Sequence, residues 1–304
     1  MTQRPFLVVV GADGTLGGRL VTRLAAHGLA LRCSTYAPPE PPPELGRADV
    51  VVNAAGPRVR PGLSWTDYFR EHVGLSCCIA RAMRPGSHLI HLSSTAVYGA
   101  RGGRLQAATP EAPLAFPNPS YACAKLAAEL AVRTLARERG LALSVVRPSM
   151  VYGPGIESAL ATVLKLARRG IRLRLQPGSI RQHLLHVDLF ERAIEVLVAS
   201  GPRTQELLVL ADPFVATNDE LFQQSARKGR SLAVPLPVSA AQSLVRRWFR
   251  FPAQDAPSLL AALAVLGLDN EFDWHPTFAA LSLDPAVFSR RATLDAYLLQ
   301  ESSR

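Results

Sequence analysis

The sequence predicts an α/β fold: a doubly wound parallel sheet followed by a smaller, mostly helical lobe. Three observations carry this. Short apolar runs alternate with segments of helical period through the first half, the first apolar run ends in a glycine-rich turn that opens a helix, and this rhythm loosens after residue 155.

Taken in order, Phe6 to Val10 is continuously apolar, as in a parallel strand covered on both faces. The turn GADGTLG follows at 11–17, and then a helical pattern over 19–27. Residues 29–35 read as the second strand, with further strands at 49–53, 89–92 and 143–146 and helices at 65–83 and 120–139. Only residues 37–48 separate the second strand from the next, and Pro38, Pro39, Pro41, Pro42 and Pro43 fall among them. A parallel crossover alone needs about a dozen residues or more. The third strand of a full doubly wound sheet is therefore expected to be missing or vestigial. Beyond RPSMVYGPG at 147–155, helices are expected at 159–169, 189–199, 219–227 and 258–266, and a short strand at 207–210. The chain divides into residues 1–154, a dinucleotide-binding domain, and 155–304, a substrate lobe with segments returning to the first.

Composition excludes several classes. With 304 residues and 48% hydrophobic content the chain can bury a sizeable core, which excludes disorder and small disulfide scaffolds. The longest apolar run, 258–268, is about half of the roughly 20 residues a membrane helix needs. The first apolar stretch ends at a glycine turn without a small-residue cleavage site, so a cytoplasmic location is expected. Cys33, Cys77, Cys78 and Cys123 show no metal-ligand spacing and are expected as free thiols, with no metal. The net charge of +10 raises nucleic-acid binding. Arginine is spread along the whole chain, however, and lysine occurs only at 125, 165 and 228, which argues against that reading and for a GC-rich genome as the source of the charge; a small-molecule partner is expected. The densest cluster, Arg168, Arg169, Arg172, Arg174 and Arg181, reads as a solvated face, with Arg181 kept as a candidate substrate contact.

Gly11, Gly14 and Gly17 stand between strand and helix. The first permits a tight turn, the second lets backbone approach a pyrophosphate, and the third lets helix and strand pack closely, as in a Rossmann-type dinucleotide site. Free N–H groups at the helix start would bind the phosphates, with Asp13, Thr15 and Leu16 in the same turn. Tyr121 and Lys125 lie four apart on a predicted helix, hence on one face. Bringing a tyrosine from about 10 to about 7 takes roughly 4 kcal/mol of phenolate stabilisation, which an adjacent ammonium and an oxidised nicotinamide can supply.

These motifs, with DVVVNAAG at 49–56, HLSSTAVYG at 91–99, RPSMVYGPG and HVD at 186–188, occur in an order and spacing that resemble the extended short-chain dehydrogenase/reductase family, also called the NAD-dependent epimerase/dehydratase family. The likeness covers residues 6 to about 190. It implies a Ser-Tyr-Lys site: Tyr121 as general acid/base, Lys125 tuning it and holding the nicotinamide ribose, and Ser94, four residues before Tyr98, bonding the reacting oxygen. Ser93 and Thr95 are the alternatives to Ser94. The resemblance also places Asn53, Ala54, Ala55 and Gly56 beneath the adenosine half of the cofactor and Pro148, Ser149 and Val151 around the nicotinamide. Thr95, Met150 and Arg181 are the candidate substrate contacts, and relatives pair through two helices each, here 65–83 and 120–139, giving a homodimer.

The second strand lacks an acidic residue before Glu40, so NADP(H) is expected over NAD(H), with Arg32, Ser34 and Thr35 at the 2'-phosphate. His72 and Met150 stand where many relatives carry Asn, Gln182 where many carry Arg, and Thr95 and Ala96 where the dehydratases carry acids. These departures weaken a nucleotide-sugar anchor and count against dehydration. The expected activity is hydride transfer between a nicotinamide and a carbonyl or alcohol. The alternatives are a nucleotide-sugar epimerase and a non-catalytic dinucleotide-binding protein. The substrate pocket falls in the second half, including Trp248 and Trp274, whose spacing carries no chemical code.

Overall fold

The computed structural model describes residues 5–26, 30–34, 41–59, 63–99, 103–112, 119–168, 171–202, 206–224, 232–237, 239–240, 243, 262–263, 265–288 and 291–303. Its centre is a six-stranded sheet. In chain order the strands and helices that build it are β1 (Phe6–Val10), α1 (Thr15–Ala26), β2 (Ala30–Ser34), β3 (Val50–Asn53), α2 (Trp65–Phe69), α3 (Leu75–Ala82), β4 (His88–Leu92), β5 (Arg104–Leu105), α4 (Pro119–Arg139) and β6 (Ala142–Pro148). Further on come β7 (Met150–Tyr152), α5 (Ala159–Arg168), β8 (Ile171–Gln176), β9 (Arg181–Gln182), β10 (Leu184–His186), α6 (Val187–Ala199) and β11 (Glu206–Leu210). The sheet order is β11-β6-β4-β3-β1-β2, and every neighbouring pair is parallel.

The continuous apolar runs form these strands because both faces are covered. Alternate residues supply two separate cores. Leu7, Val9, Val52 and Ile90 pack with Leu20 and Leu24 of α1 and Phe190 and Ile194 of α6. Val8, Val10, Val51 and Leu89 pack on the other side with Ile79 of α3 and Val132 and Ala136 of α4. The predicted strands and helices of the first half are all present, with ends shifted by a few residues, except that 65–83 is interrupted. A π-helical turn, Arg70–Gly74, separates α2 from α3.

Among the described residues β2 is the outer strand beside β1, and the stretch before β3 holds a 3-10 turn at Pro43–Gly46. Residues 35–40 lie outside the described residues, and with them the first third of the segment 37–48 where the third strand is expected to be missing. The remaining chain adds β12 (Ala216–Thr217), α7 (Asn218–Gln224), β13 (Leu232–Pro237) and β14 (Glu271–Phe272), which form two-stranded ribbons with β9, β8 and β5, and helices at His275–Leu281, Pro285–Phe288 and Arg291–Ser303. The helix expected at 258–266 lies largely outside the described residues, as does Trp248. No helix among the described residues is long and apolar enough to cross a membrane.

Candidate active site

Strand order reverses at β1, which has β2 on one side and β3 on the other, so a crevice opens at the carboxyl ends of these parallel strands. The glycine turn and the Asn53–Gly56 turn face each other there. A Cβ on Gly17 would lie 2.1 Å from the Gly11 carbonyl oxygen, so only glycine lets α1 approach its own strand this closely. The turn is closed by the Gly14 N–H donating to the Gly11 carbonyl at 3.0 Å, and Ala54 N–H donates to Val10 O at 2.9 Å. Asp13, Gly14 and Thr15 are exposed at its tip, whereas Leu16 packs into the core.

Asn53 is used inward. Its Nδ2 donates to Ser76 Oγ at 3.0 Å and meets His91 Nδ1 at 3.2 Å, while its Oδ1 accepts from Ala55 N–H, which shapes the turn rather than opening the amide to the crevice. Gly56 has φ +108°, and a Cβ there would strike the His72 ring. The backbone of β2 places Arg32 opposite Val8 and Ser34 opposite Val10. Their side chains and all of Thr35 lie outside the described residues.

The next crevice wall is the end of β4. Ser94 caps the 3-10 turn Thr95–Tyr98, its Oγ accepting from Ala96 N–H at 3.1 Å. That leaves its hydroxyl proton to donate, and it bonds the Tyr121 phenol oxygen. Tyr121 comes from the first turn of α4, with the edges of its ring against His72, at 5.4 Å between centroids, and Tyr68, at 6.0 Å. Lys125 Nζ lies 5.9 Å from the Tyr121 ring centroid and donates to the Leu92 carbonyl at 2.9 Å. The three residues named from the sequence thus meet.

Their electrostatics differ from the sequence expectation. Burial pushes the Tyr121 phenol up to about 12, partly offset by the Ser94 hydrogen bond, so the group is protonated at neutral pH. Burial brings Lys125 down to about 8, and the charge of Glu129 acts against that fall.

Pro148 ends β6 beside this wall, its carbonyl accepting from Thr95 Oγ1 at 3.3 Å. Ser149 N–H donates to Leu210 O at 2.9 Å. Val151 pairs with Leu185, and Met150 packs against two smaller apolar clusters that both include residues of α5. Arg181 is engaged by Asp269 through both carboxylate oxygens, at 3.0 and 2.8 Å, and by Glu271 at 2.5 Å. Gln182 fastens the carbonyls of Leu266 and Leu268, and Trp274 stacks on His275 at 3.7 Å. Among the described residues no cluster of three or more His, Cys, Asp or Glu is placed to hold a metal. Cys77, Cys78 and Cys123 are free thiols, and the Cys33 side chain lies outside the described residues.

Sequence reasoning missed two features here. One is the buried pair of Glu129 and Arg147, signalled by a lone arginine in the apolar strand of residues 142–148 and by an acid one turn after Lys125. The other is the set of contacts made by His72, which the sequence marks only as standing where many relatives carry Asn: its Nε2 lies 3.0 Å from the Pro57 carbonyl, so that its ring bridges the Gly56 turn and Tyr121. A π turn leaves no period in the sequence to find it by.

Burial first and the charge of Lys125 second bring His72 down to about 2, and the same causes bring His91 to about 3. An unfolded histidine takes its proton near about 6.5. Between that pH and about 3 the unfolded chain binds more protons than the folded one, so stability falls as pH falls through this window. Asp212, pushed up to about 7 by burial, acts in the opposite sense between its unfolded value and 7. The pH slope of unfolding free energy in His72→Asn is expected to be shallower by about 1.4 kcal/mol per pH unit between pH 4 and 6. Denaturant melts across that range check it, and an unchanged slope would mean that His72 is not neutral in the fold.

The chain matches the NAD dependent epimerase/dehydratase family over residues 7–203, about two thirds of its length. It belongs to that family. A UDP-glucose 4-epimerase of Vibrio cholerae is 29% identical over 132 residues, 43% of this chain and 38% of the relative, so the chain aligns with well under half of that protein's length. Among solved structures, MoeE5 in complex with UDP-glucose and NAD is 19% identical with a TM-score of 0.72, covering 98% of this chain and 97% of the other. The human epimerase family protein SDR39U1 with NADPH is 18% identical with a TM-score of 0.72, covering 98% and 99%. At these identities the structural likeness establishes the fold.

Proposed function

We propose that the protein is a nicotinamide-dependent oxidoreductase that moves a hydride between its cofactor and the carbonyl or alcohol carbon of a small molecule, acting in the cytoplasm as a homodimer. The observation that carries this is the grouping of Ser94, Tyr121 and Lys125 at the carboxyl end of β4, with Ser94 at the Tyr121 phenol and the Lys125 ammonium 5.9 Å from its ring centroid. The glycine turn fits a dinucleotide: the Gly11–Gly17 approach leaves no room for a Cβ, and the N–H groups of the first turn of α1 have no intrahelical acceptors. Arg32 and Ser34 on the second strand, with Thr35 next in sequence, would hold a 2'-phosphate, which favours NADP(H) over NAD(H). Asn53, Ala54, Ala55 and Gly56 would lie along the dinucleotide, and Pro148, Ser149 and Val151 beside the ring.

A bound nicotinamide supplies or accepts the hydride. In the direction of reduction, Ser94 donates a hydrogen bond to the carbonyl oxygen and Tyr121 delivers the proton that turns it into a hydroxyl. The protonated phenol suits that direction. Lys125 presents its ammonium to the same face of α4 and, through Leu92, ties the helix to β4. Thr95, Met150 and Arg181, from three different elements, are proposed to border the substrate between the domains 1–154 and 155–304. Trp65 and Leu130, exposed on α2 and α4, are proposed to lie in the dimer face.

A second reading, a nucleotide-sugar epimerase working with the same three residues, is favoured by the similarity to the Vibrio cholerae enzyme and to MoeE5, which binds UDP-glucose and NAD. The two are separated by incubating the protein with NADPH and a panel of aldehydes and ketones, and in parallel with NAD and UDP-glucose. Net oxidation of NADPH is expected. Isomerisation of UDP-glucose with no net change in nicotinamide would transfer the assignment to the epimerase, and inactivity in both arms despite bound nicotinamide would reject hydride transfer.

A further inference from the structure

We infer that Glu129 is a positioning residue of this site: its carboxylate holds Lys125 in the ammonium form and fixes the strand end that carries Ser94, and Arg147 clamps that carboxylate in place. The inference rests on the reading that Tyr121 and Lys125 carry the chemistry.

Glu129 lies one turn beyond Lys125 on α4, so the two share a face. Both are buried, at 1% and 6% exposure. An ammonium withdrawn from water loses hydration that one carbonyl, Leu92 O, replaces in part, and a nearby negative charge offsets more of that loss. The carboxylate cannot turn away. Arg147 donates to it as a fork, Nε to Oε1 at 2.9 Å and Nη2 to Oε2 at 2.7 Å, and Arg133 approaches Oε2 at 3.8 Å. Ser93 Oγ donates to Oε1 as well, and Ser93 N–H donates to Val146 O at 2.7 Å. Ser93 is the residue before Ser94, so the same carboxylate that acts on Lys125 from one helical turn away also anchors the strand end that presents the catalytic hydroxyl.

Arg147 is itself 1% exposed, with its guanidinium 4.9 Å from the Tyr98 ring centroid and Nη2 also donating to Glu111 Oε1 at 2.5 Å. The charged groups of the cluster are therefore Lys125, Arg133 and Arg147 against Glu111 and Glu129. The remaining titratable groups around Lys125 are His72 from the π turn, His91 from β4 and Tyr121 from α4 itself, all uncharged at neutral pH. Burial lowers the Lys125 pKa to about 8, and Glu129 is the group that raises it.

A Glu129 that served only to pair with Arg147 and Ser93, without acting on Lys125, would leave the lysine titration where it is, which makes that titration the test. The chain has three lysines, at 125, 165 and 228, so protein labelled with carbon-13 at lysine Cε gives a spectrum simple enough to follow, and the signal lost in Lys125→Arg is that of Lys125. Its midpoint is expected near 8 in the wild type. In Glu129→Gln it is expected to fall by about one unit, a tenfold loss of proton affinity. Arg133→Gln removes a partly exposed cation from beside Glu129 and is expected to move the midpoint upward, an outcome that survives if Glu129→Gln fails to fold. A movement in the stated direction in either variant supports the inference, and a midpoint unmoved in both overturns it. The readout needs neither cofactor nor substrate, so failure of the hydride-transfer reading would appear separately, as turnover that persists without Tyr121.

Discussion

Replacing Tyr121 with phenylalanine is expected to lower turnover by roughly three orders of magnitude, the usual contribution of a general acid, while nicotinamide affinity stays within about twofold of the wild type. The substitution removes one oxygen. The ring keeps its edge contacts with His72 and Tyr68, so the turn at Gly56 and the mouth of the crevice stay as they are. What is lost is the phenol proton and the hydrogen bond to Ser94, whose hydroxyl keeps its bond from Ala96 N–H. Because burial holds the phenol near 12, the reductive direction is expected to be flat in pH on its acidic side, limited instead by loss of the Lys125 proton near 8. Steady-state rates in both directions, with fluorescence titration of the cofactor, check the pair of expectations. Substantial residual turnover in Tyr121→Phe would remove Tyr121 from the reaction.

The second large effect is expected from Gly17→Ala, a change of a single methyl group on the other side of the crevice. That carbon would sit 2.1 Å from the Gly11 carbonyl oxygen and 2.7 Å from its carbonyl carbon, both backbone atoms with no side chain to swing aside. Helix α1 must retreat from β1, carrying with it the N–H groups proposed to hold the diphosphate. A loss of nicotinamide affinity of at least about 100-fold is expected, equal to about 2.7 kcal/mol, with a further cost in stability of roughly 1–3 kcal/mol from the strained helix-strand contact. Calorimetric titration with thermal melts separates the two parts. Affinity preserved in a folded Gly17→Ala protein would mean that the turn does not serve the cofactor.

The sheet was the most legible part of the fold because its strands are buried on both faces, so that runs such as Phe6–Val10 need no alternation to be recognised. The spacing of Tyr121 and Lys125 was equally direct, since two residues four apart on a helix must share a face. Other features depend on chain segments far apart in sequence. The clamp on Glu129 joins residues of β4, α4 and β6, and the inward use of the Asn53 amide depends on Ser76 and His91, so neither follows from local pattern. The interrupted helix at 65–83 read as continuous because a π turn shifts the register by one residue without altering composition. Arg181 reads as part of a solvated face and a candidate substrate contact, yet Asp269 and Glu271, nearly ninety residues later, engage it.

The most direct measurement is fluorescence titration of the purified wild-type protein with NADPH and with NADH, preceded by analysis of any nicotinamide carried through purification. Saturable binding with NADPH preferred is the predicted result, consistent with a crevice shaped by Gly11 and Gly17 and a second strand without an acidic residue before Glu40. Failure to bind either nucleotide, in protein that is folded and free of retained cofactor, would contradict the account at its centre.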